Sequence, residues 1–350
     1  MTGTRAALAQ TSRSPSSRTL LLGILATIGI GLVLSVQSRI NGELGSRLSD
    51  GVLAALISFG IGLVVLTVLV GTNPDARRGV RALLAAIRQP RVTSPDDSPR
   101  LRWWQCLGGV CGAFLVVTQA TTVGVVGVAV FTVAVVAGQT ASSLVVDRLG
   151  VGPAGRQRVT ANRVVGALVA LVAVALTVSD QLRAPSALAL ALLPALGGVG
   201  TAWQQAVNGL VAAAARGGAA RSSERAARAP NGATGALVAA LVNFAVGTVA
   251  LLVAVGVDVA IRGLPDALPA NPVLYLGGAC GVVFIGTSAF LVRYTGVLIL
   301  GLGAVAGQVI GALALDAVLP VSDAELTVLT IVGALLTLVA VTVAALPRRG

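Results

Sequence analysis

Gln37 and Asn41, in the stretch SVQSRINGELG at 35–45, lie four residues apart, and Gln204 and Asn208 repeat the spacing in AWQQAVNGLVA at 202–212. Four residues make about one helical turn, so each pair presents its two amides on one face. Gln139 and Gln308 stand near the middle of two further apolar runs, 124–146 and 295–317. The chemistry open to such groups is hydrogen bonding inside an apolar medium. Burying an unpaired amide costs roughly 4 to 8 kcal/mol on a hydrocarbon scale, whereas an interhelical hydrogen bond in a membrane returns on average about 0.6 kcal/mol. Stability alone is therefore a poor reason to keep them. Two readings of Gln139 and Gln308 follow: glue between helices, or the lining of a hydrated cavity. For Asn41 and Asn208 a third is open, because Asn-Gly can simply end a helix in the left-handed conformation; that would leave the glutamines unexplained.

Other polar groups are fewer. Asp147 and Asp316 close the runs 124–146 and 295–317, where a carboxylate faces the negative end of the helix dipole at about 0.3 to 1 kcal/mol. An arginine such as Arg148 is one partner that would offset this; a part in ion coupling or gating is the other reading. Glu43, just beyond the first run, and Asn243, inside a later one, are weaker candidates for the same site. Trp203, beside Gln204, is a candidate cavity wall, whereas Trp103, Trp104 and Tyr275 at the starts of runs suit the bilayer interface. Pro194 would remove a backbone hydrogen bond and could serve as a hinge. Gly108/Gly112 and Gly277/Gly281 have the GxxxG spacing that lets helices approach closely.

Whole classes of chemistry are disfavoured. His and Lys are both absent, so no P-loop can be completed and no His-based metal site or general base exists. Cys106, Cys111 and Cys280 form no CxxC pair. The expectation is a chain without enzymatic activity, metal or cofactor. The formal charge of +12 comes entirely from arginines in short segments between apolar runs, not from one basic face, which argues against a nucleic-acid partner.

The elements that must position these residues follow from hydropathy. Apolar residues make up 55% of the chain, charged residues only 11%, and the mean hydropathy is +0.91. Runs of about 20 residues, enough to cross a bilayer as helices, fall at 20–41, 51–71, 103–122, 124–146, 160–179, 186–210, 234–256, 273–292, 295–317 and 325–346. The fold class expected is an all-α integral membrane protein with ten transmembrane helices. Of the 25 arginines, 21 fall on the side of the two termini, and only Arg39, Arg47, Arg183 and Arg262 on the other. By the positive-inside rule both termini are cytoplasmic in a multi-pass protein of the plasma (inner) membrane.

The chain also repeats itself. GVAVFTVAVVAGQTASSLVVD at 127–147 aligns without gaps on GVLILGLGAVAGQVIGALALD at 296–316, and LGGVCG at 107–112 on LGGACG at 276–281. Gln37 and Asn41 align with Gln204 and Asn208, and Phe59 and Gly62 with Phe244 and Gly247, the last across an insertion near 213–233. Five spans per copy is an odd number, which turns the second copy over: two inverted-topology repeats of five, the plan of many secondary transporters. The division expected is a disordered cytoplasmic tail at 1–18, a first repeat at 19–181 and a second at 182–350.

Gln37 with Asn41, SFGIG at 58–62, LGG at 107–109, and AGQ at 137–139 followed by Asp147 and Gly150 together resemble the YdcZ-like inner-membrane exporter family, a branch of the drug/metabolite transporter superfamily. The second copy carries NFAVG at 243–247 where the first has SFGIG. The resemblance implies a secondary transporter, an exporter of a small metabolite or drug-like molecule, with the first four helices of each half lining the pathway. The partners expected are the lipid bilayer and one unidentified small-molecule substrate, and fusion of the halves implies a monomer. A channel or a non-transporting membrane scaffold is the alternative; an intramembrane enzyme is disfavoured, since no run centres a poised acid or base.

Overall fold

The computed structural model describes residues 17–88, 101–153, 155–156, 159–179, 185–216, 232–263, 265, 267–320 and 326–345. The expected tail (up to residue 16) and most of the expected insertion (217–231) lie outside the described residues. Among the described residues there are helices and no strand. The main helices are α1 (Ser17–Leu48), α2 (Gly51–Thr72), α3 (Pro74–Arg88), α4 (Gly108–Leu149), α5 (Ala161–Ser179), α6 (Pro185–Ala215), α7 (Gly232–Arg262), α8 (Gly277–Val318) and α9 (Val328–Ala345).

Local chemistry sets the boundaries. Asp50 accepts hydrogen bonds from the amides of Val52 and Leu53, both at 2.9 Å, and so starts α2. Asn73 accepts from the amides of Asp75 and Ala76 at 2.9 and 3.1 Å, with Pro74 at the first helical position, and so starts α3. Gly150 ends α4 in the left-handed conformation, at φ 69°.

Two features depart from the run-by-run reading. The stretch after α2, read from sequence as a connection, contains the amphipathic helix α3, which a search for spans passes over because its apolar face is a single stripe of Ala76, Gly79 and Leu83. The runs 103–122 and 124–146 form two helical limbs, as expected, but their junction lies later than residue 123: the chain turns at Gly127, inside the segment labelled α4, where φ 80° and ψ 167° are open to glycine but not to L side chains. Contacts with α6 fix the direction of each limb. Gly108 lies against Val207 and Asn208 while Gly197 lies against Leu115 and Thr118, so the first limb runs antiparallel to α6. Gly138 then lies against Ala195 and Gly152 against Ala206, so the second limb runs parallel to it. α4 is a helical hairpin. α8, which likewise merges two expected spans, reverses between 281 and 303: Gly277 and Gly281 meet Asn41 and Gln37, but Gly303, Gly307 and Gly311 meet Thr27, Ile28 and Ser35.

Residues matched by the internal repeat make matched contacts. α1 packs along α8 as α6 packs along α4, and α2 meets α7 as α5 meets α9. Gly109 sits on the carbonyl of Asn243 and the amide of Gly247; its counterpart Gly278 sits on the carbonyl of Ser58 and the amide of Gly62. At the centre the rings of Phe59 and Phe244 meet at 4.8 Å and 31°, and each ring lies over the glycine of the opposite helix, Phe59 over Gly247 and Phe244 over Gly62. Leu66, Val116, Leu251 and Val282 complete this core.

The outer faces are apolar as well. Val64 and Val253 are 64% and 66% exposed, and Leu168, Leu171 and Val172 extend the surface along α5. Apolar area of this extent marks a lipid or protein contact. Gly51–Thr72, Trp103–Leu149 and Gly232–Ile261 are, among the described residues, long and apolar enough to cross a membrane.

Candidate functional site

Asn41 and Gly42 do not end a helix, for α1 continues to Leu48; Asn208 and Gly209 are likewise inside α6. This removes the helix-stop explanation and leaves the side chains to account for themselves. They gather into two clusters, which flank the Phe59–Phe244 contact.

In the first cluster Asn41 Nδ2 donates to Gln119 Oε1 at 2.8 Å, and Gln119 Nε2 donates to Ser38 Oγ at 3.1 Å, which donates in turn to the Leu34 carbonyl at 3.0 Å. Gln37, Ser38, Asn41 and Gln119 are all buried. The GxxxG pair of α8 makes the room. A Cβ on Gly277 would strike Asn41 Oδ1, and one on Gly281 would lie 3.2 Å from Gln37 Nε2. Asn41 is fully buried, yet its Oδ1 has no hydrogen-bond partner. Leaving a buried acceptor unsatisfied costs about 1 to 3 kcal/mol.

The second cluster uses the matched Gln–Asn face of the other half, but its third amide comes from α7 and not from the hairpin helix. Asn243 Oδ1 accepts from Gln204 Nε2 at 2.9 Å and from Asn208 Nδ2 at 3.4 Å. The GxxxG pair of α4 makes the room, Gly108 facing Asn208 and Gly112 facing Gln204. Trp203 stacks on Trp104, with ring centroids 5.7 Å apart.

Gln139 and Gln308 occupy matched places outside both clusters. The backbone amide nitrogen of Gln139 faces Gly198 and that of Gln308 faces Gly31; the side-chain Gln139 Nε2 donates to Gln205 Oε1 at 3.2 Å, and the backbone carbonyl of Gln308 accepts from Ser35 Oγ at 2.6 Å. Pro194 is buried inside α6, one residue before the Ala195 carbonyl that receives Gly138. Glu43 pairs with Arg47 at 2.7 Å on an exposed turn.

The two matched aspartates are used differently. Asp316 is 6% exposed, and its two oxygens accept from the amides of Val128 and Ala129 at 3.0 and 2.7 Å. Those amides begin the second limb of α4 just after the turn at Gly127, where a helix start has no partners of its own. One carboxylate at the end of α8 thus caps a helix in the other half. Asp147, in the first half, instead pairs with Arg163 of α5 at 2.6 Å, not with its neighbour Arg148, and that pair is about one-third exposed. Exposed pairs contribute about 0 to 1 kcal/mol. Asp147→Ala should therefore shift a thermal melt of the purified protein by little, the change staying within about 1 kcal/mol.

Sequence reasoning missed Gln119 and Ser38. The available signal for Gln119 is the polar run TQATT at 118–122, unusual inside a span.

Comparison with known proteins adds one firm result. The family model described as "Putative inner membrane exporter, YdcZ" matches the chain twice, at 22–176 and again at 189–343. A solved structure titled "Crystal structure of protein" is similar at 18% identity with a TM-score of 0.48, over 94% of this chain and 96% of that one. No curated protein matches the chain.

Proposed function

The chain belongs to the family of inner membrane exporters whose model it matches in both halves, and from that premise we propose that it is a secondary transporter, an exporter of a small metabolite or drug-like molecule. Its two halves act as inverted-topology repeats, 19–181 and 182–350, of five transmembrane helices each, with both termini cytoplasmic. The family's transport role also speaks against an enzyme. The observation that carries the reading is the pair of amide clusters: each half lays a Gln–Asn face on the GxxxG ridge of the other. Parting either cluster from its ridge would open a polar slot at one end while the other end stays shut, which is alternating access.

The two ends are unequal in this conformation. At one end Asp316 fastens α8 to the second limb of α4; at the other Asp147 is engaged with Arg163. A carrier caught on one side of its cycle has this asymmetry. Asp316 and Asp147 are accordingly gating residues. Asn41 and Asn208, with Gln37, Gln204, Asn243 and Gln139, are the groups that meet the substrate.

The test is counterflow in proteoliposomes, using a substrate found by screening the purified protein with pH and membrane-potential dyes. Asn41→Leu should lower transport about tenfold or more, since it removes a hydrogen-bonding group of about 1 to 3 kcal/mol, while the protein still inserts and elutes as wild type. Gln139→Leu should impair transport as well. Normal counterflow by both variants, or a linear voltage-driven conductance in place of saturable exchange, would overturn the reading.

A further inference from the structure

α3 is fixed to the bundle by one face and free on another. Its buried residues Ala76, Gly79 and Leu83 dock where α6 ends and α7 begins: Leu83 packs in a cluster with Val211, Ala215 and Val238. More than a third of a turn away, Arg77, Arg81, Leu84 and Arg88 follow one another at i, i+4, i+7 and i+11 and so share a single flank. Between this flank and the docked face lies Ile87, and Leu84 and Ile87 are 44% and 36% exposed. Around the helix the surface therefore grades from docked, through exposed apolar, to cationic. Asp75 engages Arg78, which points elsewhere; among the described residues Arg77, Arg81 and Arg88 make no ion pair.

We propose that the Arg77–Arg81–Arg88 flank of α3 binds the phosphates of anionic phospholipid headgroups, with Leu84 and Ile87 entering the acyl layer beneath them. α3 follows directly on α2, one of the helices long enough to span a bilayer, and is tied down by its buried face. Its charged flank is thus held where headgroups lie. The guanidinium group is the side chain best suited to the partner: planar, permanently charged, and able to donate two parallel hydrogen bonds to one phosphate. An apolar rim beside a row of cations is the arrangement of helices that lie in the interface. The site rests on the membrane reading above but on no transport step.

The test uses the full-length chain in detergent, titrated with phosphatidylglycerol or phosphatidylcholine, with bound lipids counted by native mass spectrometry. Wild type should retain phosphatidylglycerol in preference to phosphatidylcholine. Each arginine near an anionic surface contributes about a fivefold change in partitioning, so R77Q/R81Q/R88Q should lose the preference by on the order of 100-fold. R77K/R81K/R88K, which keeps the charge, should retain most of it. If the triple Gln variant fails to insert, R81Q alone gives the same reading at about fivefold. Displacement of the lipid by an equal concentration of inorganic phosphate would assign the site to a free anion and overturn the proposal. So would an unchanged lipid preference in the Gln variants, which is the result expected if these arginines only orient the chain during insertion. Because the readout contains no transport, a failed counterflow assay leaves this result standing, and the reverse.

Discussion

Asp316→Ala is expected to lower the thermal stability of the purified protein by about 3 to 6 kcal/mol and to abolish transport, because two hydrogen bonds to a charged group are lost at about 1.5 to 3 kcal/mol each. The buried amides of Val128 and Ala129 would be left without acceptors at the start of a helix inside the bundle. Asp316→Asn keeps one acceptor oxygen and the shape of the side chain but not the charge, so it should fall between wild type and alanine. A melting curve for Asp316→Ala that overlays wild type would show that the carboxylate does not hold the two halves together. The contrast with Asp147 separates the gating reading from a structural one. In the repeat, Val128 and Ala129 correspond to Val297 and Leu298, so in the opposite state of the cycle Asp147 would leave Arg163 and cap those amides while Asp316 is released into a wetted mouth. Asp147→Asn should then slow transport without moving the melting curve. A variant that changes both, or neither, would assign Asp147 to the ion pair alone.

How far the site could be read beforehand depends on how local its causes are. Ten apolar runs, an internal repeat and the two Gln–Asn faces are properties of short windows, and they are legible. Asn41 and Gln119 are 78 residues apart in the chain, and nothing within either run says that they meet. The turn of the α4 hairpin was harder still. The runs 103–122 and 124–146 place the connection at residue 123, just after the polar residues 118–122. Those residues lie within the first limb, where Gln119 belongs to the amide cluster, and the chain turns five residues beyond the run, at Gly127 among valines. A turn among apolar residues is unfavourable unless something satisfies the buried amides it frees. Here that something is Asp316, 188 residues away from Val128, so the reason for the turn is not written beside it. α3 was hidden for the opposite cause. Its arginines mark it as a connection by composition, although its spacing is that of a helix with one apolar stripe.

The close approach of the halves gives the second large effect. Gly138→Ala and Gly307→Ala should each prevent correct assembly, giving aggregated or poorly retained protein on size exclusion, because the added methyl would overlap a backbone carbonyl oxygen far inside van der Waals contact. That carbonyl is Ala195 for Gly138 and Ile28 for Gly307, and both belong to helices of the opposite half. A flexible side chain could move aside; a helix backbone can do so only by parting the helices, which forfeits the packing along α4–α6 or α1–α8. Overpacking of this kind costs typically about 1 to 3 kcal/mol, and more where backbone must shift. Gly60 and Gly256 are the internal controls. Each lies in a helix with no atom within 4 Å of the position its Cβ would take, so Gly60→Ala and Gly256→Ala should be neutral or stabilising by up to about 1 kcal/mol through helix propensity alone. If all four variants behaved alike, the glycines would be acting on helix propensity and not on the fit between the halves. Equal damage from Gly138→Ala and Gly307→Ala, with none from the controls, would tie the two interfaces to one shared design in which each half is the other's packing surface, and in which opening one end requires the helices to slide along ridges that only glycine leaves smooth.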